Sequence, residues 1–192
     1  MGYKLRSFPP GCATHLTARG VADEPIFREE LDRVAFLAIL RRVTERVGWR
    51  VVAWCLMDTH YHLLVVTAAD PQVPRAMQSL NSVYARELNR WYDRRGHLFG
   101  ARYRDAPIRD DAHLEAARAY VLRNPVAAGI VRRVEDWRWS GDHRLEPRDV
   151  TPQRNRNVKN RAATTRMPIT ISALPTTPPT PAPIASSTPA PR

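Results

Sequence analysis

The sequence predicts an α+β fold, an antiparallel sheet with helices packed on one face. Three observations point to it. A continuous apolar run, Arg50 to Met57 (RVVAWCLM), is followed after a tight break at Asp58-Thr59 by a second, Tyr61 to Val66 (YHLLVV). Two strand-length runs divided by a turn read as a hairpin at the centre of a sheet. On either side of that hairpin, long stretches carry apolar residues at helical spacing.

The elements follow in order. Ala13 to Arg19 (ATHLTAR) alternates and is β-prone, a first strand. Ile26 to Val47 reads as a helix: Leu31, Val34, Ala35, Ala38 and Ile39 share one broad face, and Phe36, Leu40 and Val43 cover much of the other, so the helix is expected to be well buried. After the hairpin, Pro74 to Arg95 is a second helix with Met77, Leu80, Val83 or Tyr84, Leu88 and Trp91 at helical spacing, ended by Gly96. Arg102 to Ile108 (RYRDAPI) is a short strand or extended segment. Asp110 and Asp111 open a third helix, where acidic side chains suit the positive end of the helix dipole. Its expected end is Asn124, because Pro125 disfavours helical geometry in the residue before it. The order β-α-β-β-α-β-α fits a ferredoxin-like sandwich.

Composition sets the domain plan and narrows the partners. Of 192 residues, 43% are hydrophobic, enough for a real core, and the formal net charge is +11. A balance that basic suggests a polyanion, nucleic acid before an anionic membrane surface. Lys4 and Lys159 are the only lysines. Arginine forks pair with phosphate and stack on bases, although a GC-rich genome gives the same bias. Cys12 and Cys55 form no CxxC pair and read as free thiols in a reducing, cytoplasmic setting. No apolar run of about 18 residues is present and no secretory h-region precedes the first strand, so no membrane role is expected. Residues 1–145 read as one domain. From Glu146 to Arg192 the chain holds ten of its seventeen prolines and no Trp, Tyr or Phe, a composition expected to give a disordered, basic tail.

The sharpest local feature is THYHLLV. On a strand, alternate side chains share a face, so His60 and His62 project to the same side, roughly 6.6–7 Å apart along the chain. Tyr61 points the other way, into packing beside Trp54 or Leu56. Two imidazoles on one face of a strand can ligate one divalent metal but need a third donor from elsewhere. Exposed or singly hydrogen-bonded histidines are the competing reading. A closed structural zinc site is disfavoured, since no cysteine cluster supplies the other ligands.

The third helix, DDAHLEAARAYVLRNP, carries the second constellation. Leu114, Ala117 and Val121 form a stripe to dock on the sheet, while Tyr120 and Asn124 are neighbours one turn apart, with His113 on the same side. A tyrosine can be a nucleophile toward phosphorus when its hydroxyl is aligned and its charge stabilised. Taken alone, Tyr120 reads as a core or surface aromatic.

Together these residues resemble the REP-associated tyrosine transposases, within the HUH single-strand transposases of bacterial insertion sequences. The resemblance runs from about Leu16 to Ser140 and includes HLTARGVADEPIF, WRVVAWCLMDTHYHLLV, YARELNRWYDRRGHLFGARYRDAPI, AYVLRNPVAAGIV and DWRWS, in that order. It implies an HUH nuclease core in which His60 and His62 are metal ligands, Tyr120 is the nucleophile and Asn124 the third ligand. The implied metal is Mg²⁺ or Mn²⁺. The implied activity is cleavage and rejoining of single-stranded DNA beside palindromic hairpins through a 5′-phosphotyrosine. The chain departs from the family pattern at Asp58-Thr59, commonly Pro-Asn, and at Trp139-Ser140-Gly141, where a second serine is common.

Substrate contacts are expected around the second helix and the loop after it. Arg86, Arg90, Arg94, Arg95, Arg102 and Arg104 could track phosphates, with His97 in the same segment. Trp91, Tyr92, Phe99 and Tyr103 offer stacking surfaces, although Trp91 is expected in the core. The segment RGHLFGARYR joins glycines, aromatics and arginines and is the strongest candidate contact. The oligomeric state is not legible, and the resemblance inclines the expectation to a monomer. The rival reading is a catalytically silent DNA-binding module derived from a transposase, which would bind without metal or Tyr120.

Overall fold

Strand β1 (Ala13–Arg19) is followed by helix α1 (Glu30–Val47), the hairpin β2 (Arg50–Leu56) and β3 (His60–Val66), helix α2 (Val73–Trp91), strand β4 (Arg104–Pro107), helix α3 (Asp111–Ala127) and strand β5 (Ser140–Asp142). The structure is a computed structural model and describes residues 8–148. The expected disordered tail lies, from residue 149 onward, outside the described residues. Among the described residues no helix is long and apolar enough to cross a membrane.

The five strands form one sheet in the order β4-β1-β3-β2-β5, with every neighbouring pair antiparallel. The expected α+β class holds, and β1 to β4 take the split βαβ arrangement of a ferredoxin-like sheet. Strand β3 lies at the centre because it is apolar on both faces. Tyr61, Leu63 and Val65 join the larger core with Phe36, Leu40, Met77 and Tyr84 from α1 and α2. Leu64 joins a second cluster with Ala117 and Val121 from α3. Two helices therefore sit on one face as expected, and the third covers the other. That double cover explains why β2 reads as an unbroken apolar run rather than an alternation. A register shift between Val51 and Ala53 adds one residue to β2, so the consecutive Val52 and Ala53 both face α3.

The face of α1 differs from the expectation. The helix begins at Glu30, and Leu31 and Val34 are 51% and 45% exposed. Polar anchors set its rotation instead. Asp32 accepts the backbone N–H groups of Arg28 and Glu29 at 2.8 and 2.9 Å and the Tyr92 hydroxyl at 2.8 Å. Arg33 is buried beside Trp139 and pairs with Asp58 in the β2–β3 turn. Asp58 thereby does work a proline would not: its side chain holds α1, and its carbonyl accepts from Ile26 and Phe27 at 2.8 and 3.0 Å.

Two further boundaries differ from the expectation. Helix α2 ends at Trp91, and Gly96 at φ +91° belongs to the turn beyond it. Helix α3 does not stop at Asn124 but continues through Pro125 to Ala127. Pro125 has no N–H for the Val121 carbonyl one turn back. The Asn124 side chain compensates: Nδ2 donates to the Tyr120 carbonyl at 2.8 Å and leans toward that of Val121 at 3.5 Å.

Strand β5 lies beyond the expected order of elements, and its pairing accounts for the glycine at its centre. Gly141 pairs with Trp54. A Cβ there would lie 3.0 Å from the indole Nε1, which itself donates to the Arg144 carbonyl at 2.7 Å. Gly141→Ser is expected to force the buried indole aside and cost about 1–3 kcal/mol by overpacking. A thermal melt beside the parent protein reads this directly, and an unchanged midpoint would refute it.

Candidate active site

The register of β1 against β3 decides which side chains meet. Thr17 pairs with His62, Arg19 with His60 and His15 with Leu64, so all six share one face of the sheet. Arg104 pairs with Thr17 from the other side. Helix α3 crosses the same face and brings in Tyr120. His15, Arg19, His60, His62, Arg102, Arg104 and Tyr120 all line one cleft of about 480 Å³.

The three histidines form a cluster. His60 and His62 ring centroids are 5.0 Å apart, and His15 stacks on His62 at 5.1 Å with 18° between planes. His15 Nε2 and His62 Nδ1 are 2.9 Å apart, and Thr59 Oγ1 lies 3.0 Å from His60 Nδ1. Both strand histidines thus have Nδ1 engaged, leaving Nε2 as the remaining ring nitrogen. His62 Nε2 is buried with no hydrogen-bond partner among the described residues. A buried polar atom without a partner is costly and calls for a ligand.

Burial disfavours charge on these rings. It pushes His62 down to about 3, helped by His15, His60 and Arg19. Burial likewise lowers His15, and lowers His60 together with Arg19 against the opposing pull of Asp23. Neutral imidazoles keep the lone pair a metal needs.

Tyr120 is 56% exposed, and its ring lies edge-on to both His15 and His62 at 5.8 Å. Asn124 does not line this cleft; its amide serves the Pro125 break. Among the described residues no three His, Cys, Asp or Glu side chains converge as a metal-holding group. The donors that face the cleft are therefore two imidazoles, with Asn124 one helical turn from Tyr120. His113, expected beside Tyr120, instead closes the start of α3. Its N–H donates to Asp110 Oδ1 at 2.7 Å, and its Nδ1 accepts from the Arg109 N–H at 3.3 Å.

The expected DNA contacts separate into groups. Arg102 and Arg104 reach the cleft. The loop that carries Arg102 is stitched to the end of β1, with Val21 N–H donating to Leu98 O at 3.0 Å and Gly100 N–H to Arg19 O at 3.1 Å. Gly20 permits this close approach, since a Cβ there would fall 2.1 Å from the Glu24 carbonyl oxygen. Arg86, Arg95 and His97 are exposed on or just after α2. Arg90 pairs with Glu87, and Arg94 pairs with Glu24 at 2.7 Å with its side chain only 15% exposed. Phe99 is partly buried against Tyr61. Tyr103 is buried under the Arg102 guanidinium, and the Tyr92 hydroxyl is taken by Asp32, so neither offers an open stacking face.

The residue that sequence reasoning missed is His15. Its strand was legible and so was its alternation. What places it beside His62 is the β1–β3 register, a long-range pairing that no local pattern encodes.

Residues 10–124 match the family described as IS200-like transposases. A candidate REP-associated tyrosine transposase of Haemophilus influenzae is 27% identical over 128 residues, 62% of this chain and 73% of the relative. The solved structure of a REP-associated tyrosine transposase bound to a REP hairpin matches with a TM-score of 0.60 at 18% identity, covering 87% of this chain and 99% of that one. Likeness at that identity concerns the fold.

Proposed function

We propose, since this chain belongs to the IS200-like transposase family, that it cuts and rejoins single-stranded DNA beside hairpin-forming palindromes with Tyr120 as nucleophile. The observation that carries the reading is the exposed Tyr120 ring, edge-on to His62 in a cleft rimmed by Arg102 and Arg104. A phenol on the surface is chemically accessible, and the arginines supply charge for a phosphodiester.

The Tyr120 oxygen attacks phosphorus. The bond from phosphorus to the 3′-oxygen breaks as the tyrosyl–phosphorus bond forms, and the 3′-oxygen leaves as a hydroxyl after taking up a proton. A 3′-hydroxyl from a second strand reverses the step and frees the phenol. Because one ester replaces another, no outside energy source is needed. Hydrolysis would discard that bond; a tyrosyl ester keeps it.

His60 and His62 are the donors that fit a divalent metal, with Asn124 Oδ1 as the third. The partnerless, buried Nε2 of His62 and the burial that disfavours charge on both rings support the two imidazoles of this set. Bound there, Mg²⁺ or Mn²⁺ supplies neutralisation of the charge that develops on the scissile phosphate. His15 acts on His62: its Nε2 accepts the His62 Nδ1 proton, which fixes the tautomer with the lone pair on Nε2. The neighbour solved with a REP hairpin supports hairpin-flanked strands as the partner class. A monomer is the expected unit.

The test is a denaturing gel of the protein with oligonucleotides spanning the palindromes that flank its gene, with Mn²⁺ or Mg²⁺ and with EDTA. A covalent adduct that vanishes with EDTA is expected. The Asn124 amide, committed to its own helix, favours one second reading, a silent DNA-binding module. Clear binding with no adduct or cleavage on any flanking hairpin would make that module the better account.

A further inference from the structure

We propose that the recess between α2 and the loop at residues 96–103 receives one unpaired nucleobase of the strand being cut, read by Asn81. The inference rests on the single-strand reading above and adds to it a binding site with a stated ligand.

The recess has a volume of about 570 Å³ and lies next to the catalytic cleft; Ala101 and Arg102 line both. A strand whose scissile phosphate lies in the cleft therefore has a neighbouring nucleotide at the mouth of this recess. Its walls suit a flat heteroaromatic. Met77 and Leu98 form an apolar floor, and the partly buried Phe99 and Ala85 extend it. Bases taken out of a stack are held between such surfaces and identified by hydrogen bonds at their edges.

Asn81 supplies the edge. Its Oδ1 accepts the hydroxyl of the fully buried Tyr61 at 2.6 Å. That bond orients the amide, and Nδ2 is the group left for a ligand. A donor in that position selects a base presenting an acceptor there. The Arg102 guanidinium, 5.3 Å from the Tyr103 ring centroid, stands on the shared wall where the connecting phosphate would pass. A lipid chain or an apolar peptide would match the floor but not a cationic wall continuous with a phosphodiester cleft.

The experiment measures binding of the full chain to a fluorescent single strand spanning a flanking palindrome, with an abasic site moved along it. Two variants run beside the parent. Ser82→Leu narrows the recess from an exposed position on α2. Asn81→Asp keeps an acceptor for Tyr61 but removes the donor. One abasic position beside the cleavage site is expected to weaken binding about tenfold. Ser82→Leu should weaken the intact strand by a similar factor, and the same abasic position should then cost nothing further. Asn81→Asp should weaken the strand only when that base is present. Losses from Ser82→Leu and the abasic site that multiply, or abasic positions that all behave alike, would overturn the proposal while an adduct still forms. A strand that is neither bound nor cut would remove the single-strand reading first, and this site with it.

Discussion

Tyr120→Phe is expected to abolish the covalent protein–DNA adduct and to lower strand cleavage by roughly 10⁴-fold or more, the scale seen when a covalent nucleophile is removed. The substitution takes away one oxygen and nothing else. The ring remains, so its edge contacts with His15 and His62 at 5.8 Å persist. At 56% exposure the hydroxyl has no buried partner to strand, and folding should change by no more than about 0.5 kcal/mol. Binding of the uncut strand should stay within about threefold, because Arg102 and Arg104 are untouched. The pairing of outcomes matters. Lost adduct with retained binding assigns Tyr120 as the nucleophile. An adduct that survives in Tyr120→Phe would move the nucleophile elsewhere, with no other tyrosine on the cleft to take its place among the described residues.

Much of this site was legible from the chain. Alternation in THYHLLV puts His60 and His62 on one face of β3 and sends Tyr61 to the other, into the core with Phe36. Helical spacing in α3 puts Val121 on the sheet, one residue from Tyr120, which stays exposed. Local periodicity carries that information because each side chain's direction depends on its own strand or helix.

The parts that were not legible depend on long-range pairing or on buried polar groups. His15 meets His62 only through strand register. The face of α1 is set by Asp32 and Arg33, charged residues that an apolar pattern assigns to solvent. The continuation of α3 past Asn124 depends on a side chain leaning toward the Val121 carbonyl that Pro125 leaves open. Strand β5 is three residues long with a glycine in the middle, too short for any periodicity. Its place is fixed by the indole of Trp54 on a neighbouring strand.

His62→Gln is expected to lower affinity for Mn²⁺ by about 100-fold or more and to abolish the metal-dependent adduct, whereas His15→Ala should lower affinity by about 10- to 100-fold and keep the chemistry. The difference follows from which atom each residue gives. In the proposed site His62 Nε2 is the donor, and its loss leaves His60 without its strand partner. His15 gives no atom to the metal in the proposed site; its Nε2 lies 2.9 Å from His62 Nδ1 and accepts that proton in the proposed tautomer. Without it the imidazole can turn or carry its proton on Nε2, so part of the population is unable to bind. Excess Mn²⁺ should therefore restore the adduct in His15→Ala but not in His62→Gln. His15→Gln should recover part of the lost affinity, because its amide oxygen can accept the same proton. Metal affinity is read by Mn²⁺ titration without DNA, so the result does not depend on finding the correct target strand. Parent-like Mn²⁺ affinity in His15→Ala would reduce the 2.9 Å contact to packing. A metal-dependent adduct in His62→Gln would remove His62 from the ligand set and, with it, the reason its Nε2 lies buried without a partner.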